Sequence, residues 1–448
     1  MDVSIVPMEP SWVSPLGGAI AKVSRAPMLL FDAHYYGTLA AVRALGREGI
    51  RVTVVDPTSA GPALWSRYAA RRLHCPPMAG ELTPFVTWLL AFGEREPGQV
   101  IYPTSDDISY AFASHRDDLS KNFKLYQPDL RTMMGLLDKA KLVEHARAVG
   151  LDTPEMWLPE DETDVERIAR TAGGPLMIKP RTQVLSKTHA KGTLTSGNAR
   201  QLRAAYHDFS NHNGSGHEIL ARSPEVTRPM IQRYHPEAEQ EIYSLSGFCD
   251  RTGGRFAILG ARKVLQRPRR MGIGLCFEDA PVEVDLAARV RRLCEHIGYY
   301  GVFELEFVRV GNRRLLIDMN GRFYGQMAFD IARGMRLPQL AYAAAVGDDD
   351  EVGRLVAMVP RRDAARRPFA FCNGFGLNVL VAAQRLFGRM SIDEAAGWRQ
   401  WCLKHEGALV DAVDDPDDRR PLAAEVVAQL CGYVRHPRSF LRVIALNR

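Results

Sequence analysis

Residues 301–322, GVFELEFVRVGNRRLLIDMNGR, hold the side chains best suited to chemistry. Two alternating runs flank the turn sequence Val310-Gly311-Asn312-Arg313. In the first run Phe303, Leu305 and Phe307 share one parity, and Glu304 and Glu306 share the other. In the second, Leu315, Ile317 and Met319 share one parity, and Asp318 and Asn320 the other. Successive side chains of a strand point to opposite faces. Antiparallel pairing across a tight turn therefore gathers Glu306, Asp318 and Asn320 on one polar face. Glu304 has the same parity and could replace Glu306. Two carboxylates and an amide carbonyl are hard oxygen ligands. They suit Mg²⁺, which takes one or two carboxylates together with phosphate oxygens. Arg322 follows at the same parity, and its guanidinium could bridge phosphate oxygens or a substrate carboxylate. A merely solvated hairpin face explains this set poorly.

The elements around this hairpin read as α/β and α+β. Met28-Leu29-Leu30-Phe31 is a short apolar strand, followed by a polar loop, an amphipathic helix and a second strand at Val52-Val55. A third strand, Val100-Ile101-Tyr102, ends in Pro103-Thr104-Ser105-Asp106-Asp107. This order predicts a parallel layer whose polar loops share one edge, where open α/β sheets bind ligands. His34, Tyr35, Thr104, Ser105 and Asp106 lie there and suit either a substrate or ordinary loop polarity. The first loop, DAHYYG, has one glycine where a dinucleotide fingerprint needs three. Asp56 then reads as a strand-end or capping residue. Residues 136–150 read as one helix ending at Gly150. Strands are expected at 176–179, 230–234, 241–248 and 256–264, with a hairpin at Asp250-Gly254 and a helix near 284–297.

Composition sets bounds. The 58 basic and 52 acidic residues leave a net charge of +6, too diffuse to imply nucleic acid. The seven cysteines are spread out and contain no CxxC pair, which argues against a disulfide framework or structural zinc. A reducing, cytoplasmic setting suits them. The N-terminus lacks the order of a signal peptide, and no apolar run reaches the ~18–20 residues of a membrane span. The ending RHPRSFLRVIALNR suits a helix packed on its own domain or a basic helix on a membrane surface. A P-loop, a GxSxG nucleophile and an HExxH zinc motif are all missing.

The segment LLIDMNGRFYG resembles the ATP-grasp signature. Four further pieces resemble that superfamily in its order: LLDKAKL, PLMIKP, MIQRYHP and YSLSGFCDRTGGRFAILGARKVLQRPRRMGIG. The likeness covers roughly residues 28–345 and is greatest to carboxylate–amine ligases, with carbamoyl-phosphate-synthase-like and D-aspartate-ligase-like members. It implies an extension at 1–26, a parallel α/β pre-ATP-grasp domain at 27–130 and a two-lobed ATP-grasp domain at 131–347. A mostly helical C-terminal extension at 348–448 would follow.

The same likeness implies roles. Lys139, with Lys141 as rival, and Lys179 would face the ATP phosphates. Gln232, Arg233 and Tyr234 would lie along adenine, with Glu239 or Glu241 at the ribose. Glu306, Asp318 and Asn320 would hold Mg²⁺, and Mn²⁺ fits the same donors. Arg322, Lys263 and Arg267 would steady the transferring phosphoryl group, and the polar loop 181–192 would cover it. The substrates would be a small carboxylate and an amine, and the resemblance is compatible with a homodimer. An ATP-grasp carboxylase, a carbamoyl-forming enzyme or an ATP-binding regulatory protein without turnover fits the same residues. The chain departs from the family at Asp318, where Glu is common, and at Gly321, where Pro is common. Gly192 is also the only glycine between 181 and 196.

Overall fold

The apolar runs at the start of the chain assemble into a parallel sheet. In the computed structural model its strands are β1 (Met28–Phe31), β2 (Val52–Asp56), β3 (Ala69–His74), β4 (Gln99–Ile101) and β5 (Phe123–Leu125), in the order β3-β2-β1-β4-β5. The structure describes residues 25–448 apart from 79, 187–191, 196–197, 213–215, 241, 269–271, 361–368, 440, 442–443 and 445–448. The extension expected before residue 27 therefore lies almost wholly outside the described residues. Strand β1 is fully buried, as suits the centre of a parallel sheet covered on both faces.

A second, four-stranded sheet has the order β6-β9-β7-β8, from β6 (Met156–Trp157), β7 (Leu176–Lys179), β8 (Thr193–Thr195) and β9 (Met230–Arg233). Leu176, Ile178 and Ile231 pack against the helices Glu162–Thr171 and Ala199–His212. Period-two alternation then turns Met177, Lys179 and Gln232 to the opposite face. A third sheet has seven strands in the order β14-β13-β10-β11-β12-β15-β16. These are β10 (Ile242–Cys249), β11 (Phe256–Arg267), β12 (Ile273–Ala280), β13 (Gly301–Val310), β14 (Arg313–Asn320), β15 (Ala370–Cys372) and β16 (Leu409–Asp411). Tyr243, Leu245, Phe303, Leu305, Phe307, Leu316 and Met319 join a core with Leu286, Val290 and Leu293 of the helix Val284–Ile297. The other face of this sheet carries the polar set.

Three local expectations need correction. Residues 136–150 are not one helix. Asp138 is extended (φ −90°, ψ 108°) and separates Leu130–Leu137 from Lys139–Ala148. Its carboxylate accepts from the Ala140 N–H at 3.0 Å, so it caps the second helix. Strict alternation also fails in β14. Glu306 faces Asp318, but Phe307 faces Leu316, which leaves Ile317 as the extra residue of a bulge. Leu316, rather than Ile317, therefore joins Met319 in the core. Finally, the C-terminal region, helical for the most part, also adds β15 and β16 to the third sheet.

That region is tied to the first domain by a buried ion pair. Arg43 lies on the helix Tyr36–Arg47, and its Nε donates to Asp418 Oδ2 at 2.9 Å. Asp418 also accepts from Ser66 Oγ at 2.7 Å and from the Arg67 N–H at 2.8 Å. Both charged side chains are buried. Removing the Asp418 carboxylate leaves the buried Arg43 with only the carbonyls of Val413 and residue 418 and with Asp415 at 3.9 Å. Asp418→Ala is expected to lower unfolding free energy by about 3–5 kcal/mol, read from urea denaturation; a change within about 1 kcal/mol would show that the pair does not hold the tail.

Candidate active site

The second and third sheets face each other across a cleft with a volume of about 150 Å³. From the second sheet Met177, Lys179, Gln232 and Tyr234 line it. From the third come Ile242, Gln266, Glu306, Val308, Ile317 and Asp318. Lys139, Pro154, Gln183, His235, Ala238 and Gly272 complete the lining with the Arg233 position. The apolar members make a slot suited to a flat ring, while the ionic members cluster beside it.

Glu306 and Asp318 are direct partners across β13 and β14, and Glu304 faces Asn320 two pairs further along, on the same face. Lys263, on β11, forms an ion pair with Glu306, and Lys139 forms one with Asp318. Lys139 is well placed for this because its own N–H donates to the Arg181 carbonyl at 2.8 Å. Arg181 in turn pairs with Asp138 through Nη2–Oδ2 at 2.5 Å and Nε–Oδ1 at 3.1 Å. Burial acts to raise the pKa of Asp318, but Lys139, Lys179 and Arg322 hold it below the ordinary carboxylate value. Asp318 is therefore a carboxylate at neutral pH. Lys141, the rival of Lys139, pairs with Glu225 at 3.4 Å.

Glu304 is different. It is 1% exposed and accepts from Ser244 Oγ at 2.5 Å, Gln326 Nε2 at 3.0 Å and Asn320 Nδ2 at 2.7 Å. Burial, with the neighbouring charge of Glu306, pushes its pKa up to about 7. It does not line the cleft, whereas Glu306 does. Arg322 bridges outward from this face. Its Nη2 donates to Asn320 Oδ1 at 2.8 Å, and its Nε donates to Asp106 Oδ1 of the first domain at 2.7 Å.

The donor set can be tested against a divalent cation. Glu306 and Asp318 supply two carboxylates on one wall, close to Lys139 and Lys179. Among the described residues no group of three or more His, Cys, Asp or Glu side chains forms a metal cage. Two carboxylates with phosphate oxygens to complete the shell is the pattern Mg²⁺ favours, so the residues fit that ion.

Several expected residues are placed otherwise. Arg233 turns to the helix side of its sheet, where it pairs with Glu155 and donates to the carbonyls of Ala172 and Gly173. It shares parity with Ile231 and reaches the cleft only as a lining position. Glu239 accepts from the Tyr234 hydroxyl at 3.0 Å and is not part of the lining. Arg267 leaves the polar face because the register of β11 shifts on both sides of Leu265. It reaches Tyr36 and Tyr433 instead, and Gln266 takes the cleft. Glu241 and residues 187–191 of the expected cover lie outside the described residues. Parity alone points to Met177, two before Lys179, and Val308, two after Glu306; no local signal reveals Gln266 or Ile317, which depend on bulges.

The sheet edge of the first domain meets the third sheet through the Asp106–Arg322 pair. Asp56 accepts from the Ala33 N–H and the Thr58 N–H, both at 2.7 Å, so it braces two loops. Thr104 Oγ1 donates to Asp32 at 3.0 Å, and Ser105 caps the helix Asp106–Ser114. Asp107 Oδ1 accepts from the Leu185 N–H at 2.6 Å, which moors the root of the 181–192 segment. Burial pushes the Asp107 pKa up to about 7. A carboxyl raised above its unfolded value destabilises the fold progressively as pH rises from about 4 to about 7. Asp107→Asn keeps an acceptor for Leu185 but cannot ionise. Its melting temperature is expected to fall less between pH 5 and pH 7.5 than that of the unaltered chain; parallel declines would contradict the raised pKa.

No protein-family model matches the chain, and no curated protein matches it in sequence. Solved structures do match. N5-carboxyaminoimidazole synthetase from Staphylococcus aureus is 13% identical with a TM-score of 0.57, over 86% of this chain and 99% of that one. The biotin carboxylase domain of Hydrogenobacter thermophilus 2-oxoglutarate carboxylase, solved with MgADP and bicarbonate, is 15% identical with a TM-score of 0.56, over 71% and 69%. L-amino acid ligase from Bacillus licheniformis is 13% identical with a TM-score of 0.52, over 72% and 74%. The chain has the ATP-grasp fold. Among the described residues no helix is long and apolar enough to cross a membrane.

Proposed function

We propose that this chain is an ADP-forming ligase that uses ATP to join a small carboxylate to an amine. The observation that carries the reading is the facing pair Glu306–Asp318 on one wall of a cleft that also holds Lys139 and Lys179. Similar folds have been solved with ADP and magnesium, which supports the choice of nucleotide. Met177, Tyr234, Ile242 and Val308 would hold the base, and Gln232 would read its polar edge. Lys139 and Lys179 would offset phosphate charge. Glu306 and Asp318, with Asn320 beside them, would hold Mg²⁺, which supplies charge neutralisation for phosphoryl transfer when bound. Mn²⁺ fits the same oxygen donors.

The chain's own residues then do the positioning. A carboxylate attacks the γ-phosphate poorly because both are anionic. Lys263, paired with Glu306, and Arg322, paired with Asp106 of the first domain, are cations beside the two carboxylates, and they would draw those charges together. The acyl phosphate so formed loses phosphate to an attacking amine, giving an amide. No enzyme nucleophile is needed. The segment 181–192, moored at Arg181 and Leu185, would exclude water from the intermediate. The acceptor would approach along the first domain's edge, near Tyr35 and Asp106. A cytoplasmic enzyme acting as a homodimer is compatible with these features.

A second reading has bicarbonate as the carboxylate, giving a carboxylated product. The likeness to the bicarbonate-bound structure and to N5-carboxyaminoimidazole synthetase favours it. ADP release with Mg²⁺-ATP and a panel of amino acids and small carboxylates separates the two. Substrate-stimulated release without bicarbonate is expected, and it should fall about 100-fold or more in Asp318→Ala. Strict dependence on bicarbonate would select the second reading. ATP binding with no stimulated release by any pair would favour a regulatory protein.

A further inference from the structure

Asn320 stands between two groups with opposite hydrogen-bonding demands. On one side the Glu304 carboxylate accepts from Asn320 Nδ2 at 2.7 Å. On the other the Arg322 guanidinium, which can only donate, gives an N–H to Asn320 Oδ1 at 2.8 Å. The amide therefore has one satisfied orientation. Glu304 is itself fixed: it is 1% exposed, and Ser244 Oγ and Gln326 Nε2 donate to its other oxygen at 2.5 and 3.0 Å. The register places Glu304 directly across from Asn320, and Glu306 directly across from Asp318. The four residues thus form two adjacent pairs, one inside the cleft lining and one behind it.

We infer that Glu304 is a positioning residue that, together with Arg322, fixes the orientation of the Asn320 amide beside the Glu306–Asp318 pair that would hold the metal–nucleotide ligand. The inference rests on the reading of Glu306 and Asp318 as the metal-holding carboxylates. It also divides the work between the two glutamates of the ELE sequence. Glu306 meets the ligand, while Glu304 orients a neighbour. A partner behind a ligand often sets its geometry and affinity in this way. Without Glu304, Arg322 alone holds the Asn320 amide, by Oδ1, and Nδ2 loses the acceptor that completes its placement.

The test measures Mn²⁺ binding in the presence of ADP, with no turnover, by loss of the free Mn²⁺ electron paramagnetic resonance signal. Glu304→Gln is expected to weaken Mn²⁺ binding about 10- to 100-fold, with the far-UV spectrum unchanged. The decisive variant is the pair E304Q/N320D. A glutamine at 304 can donate to an aspartate at 320, so the hydrogen bond is restored with its direction reversed and the total charge kept. The pair should bind Mn²⁺ at least about tenfold more tightly than the product of the two single effects predicts. Single effects that combine independently, within about threefold, overturn this role of Glu304. If Glu304→Gln fails to fold, Ser244→Ala replaces it, because it removes one anchor without altering charge. It is expected to weaken binding about fivefold, and unchanged binding would overturn this role. Failure of the unaltered protein to bind Mn²⁺ with ADP would instead overturn the underlying reading of the cleft.

Discussion

Two carboxylates held opposite one another on adjacent strands repel unless positive charge is brought to them. Glu306 and Asp318 are in that position, and much of the surrounding structure serves the balance. Lys263 answers Glu306 from within the same sheet. Lys139 answers Asp318 from a separate helix, whose start is fixed by the Asp138 cap and the buried Arg181–Asp138 pair. The break in that helix at Asp138 is therefore part of the site. A continuous helix would lose the cap that sets where Lys139 begins. The cleft as a whole carries lysines against carboxylates beside an apolar slot, an arrangement suited to a polyphosphate attached to a flat base.

The same electrostatic chain continues beyond the cleft. Glu304, Asn320, Arg322 and Asp106 form a run of charge-assisted hydrogen bonds from the third sheet into the first domain. Asp106 and Asp107 begin the helix Asp106–Ser114, and Asp107 holds the backbone of Leu185. The first domain thus touches both the arginine beside the carboxylates and the backbone at Leu185. The C-terminal region is bound in as well. It extends the third sheet through β15 and β16, and Asp418 meets Arg43 of the first domain. The first domain and the C-terminal region are thus both joined to the third sheet, which supplies one wall of the cleft.

Much of this was legible from residue spacing. The parity of Glu304, Glu306, Asp318 and Asn320 follows from the two-residue period of a strand and the Val310–Arg313 turn. Strand β7 could be read from an apolar run ending in Lys179 and Pro180, and parity within it separates Met177 and Lys179 from the core. What spacing could not show were the places where period two slips. The bulge at Ile317 brings that residue to the cleft, and the shifts around Leu265 exchange Arg267 for Gln266. Arg233 differs for another reason: motif likeness points to its strand, but parity with Ile231 puts its side chain on the helix side. Nor does local sequence disclose that Lys139 would meet Asp318, since 179 residues separate them. That contact depends on how whole elements pack.

In the proposed function the Glu306–Asp318 wall binds a divalent cation with ATP. A crystal grown with Mn²⁺ and a non-hydrolysable ATP analogue, measured at the manganese absorption edge, tests it most directly. An anomalous peak is expected within ligand distance, about 2.0–2.3 Å, of both Glu306 and Asp318, with the base between Met177 and Val308. Manganese and nucleotide bound elsewhere, or a peak coordinated by neither carboxylate, would contradict it.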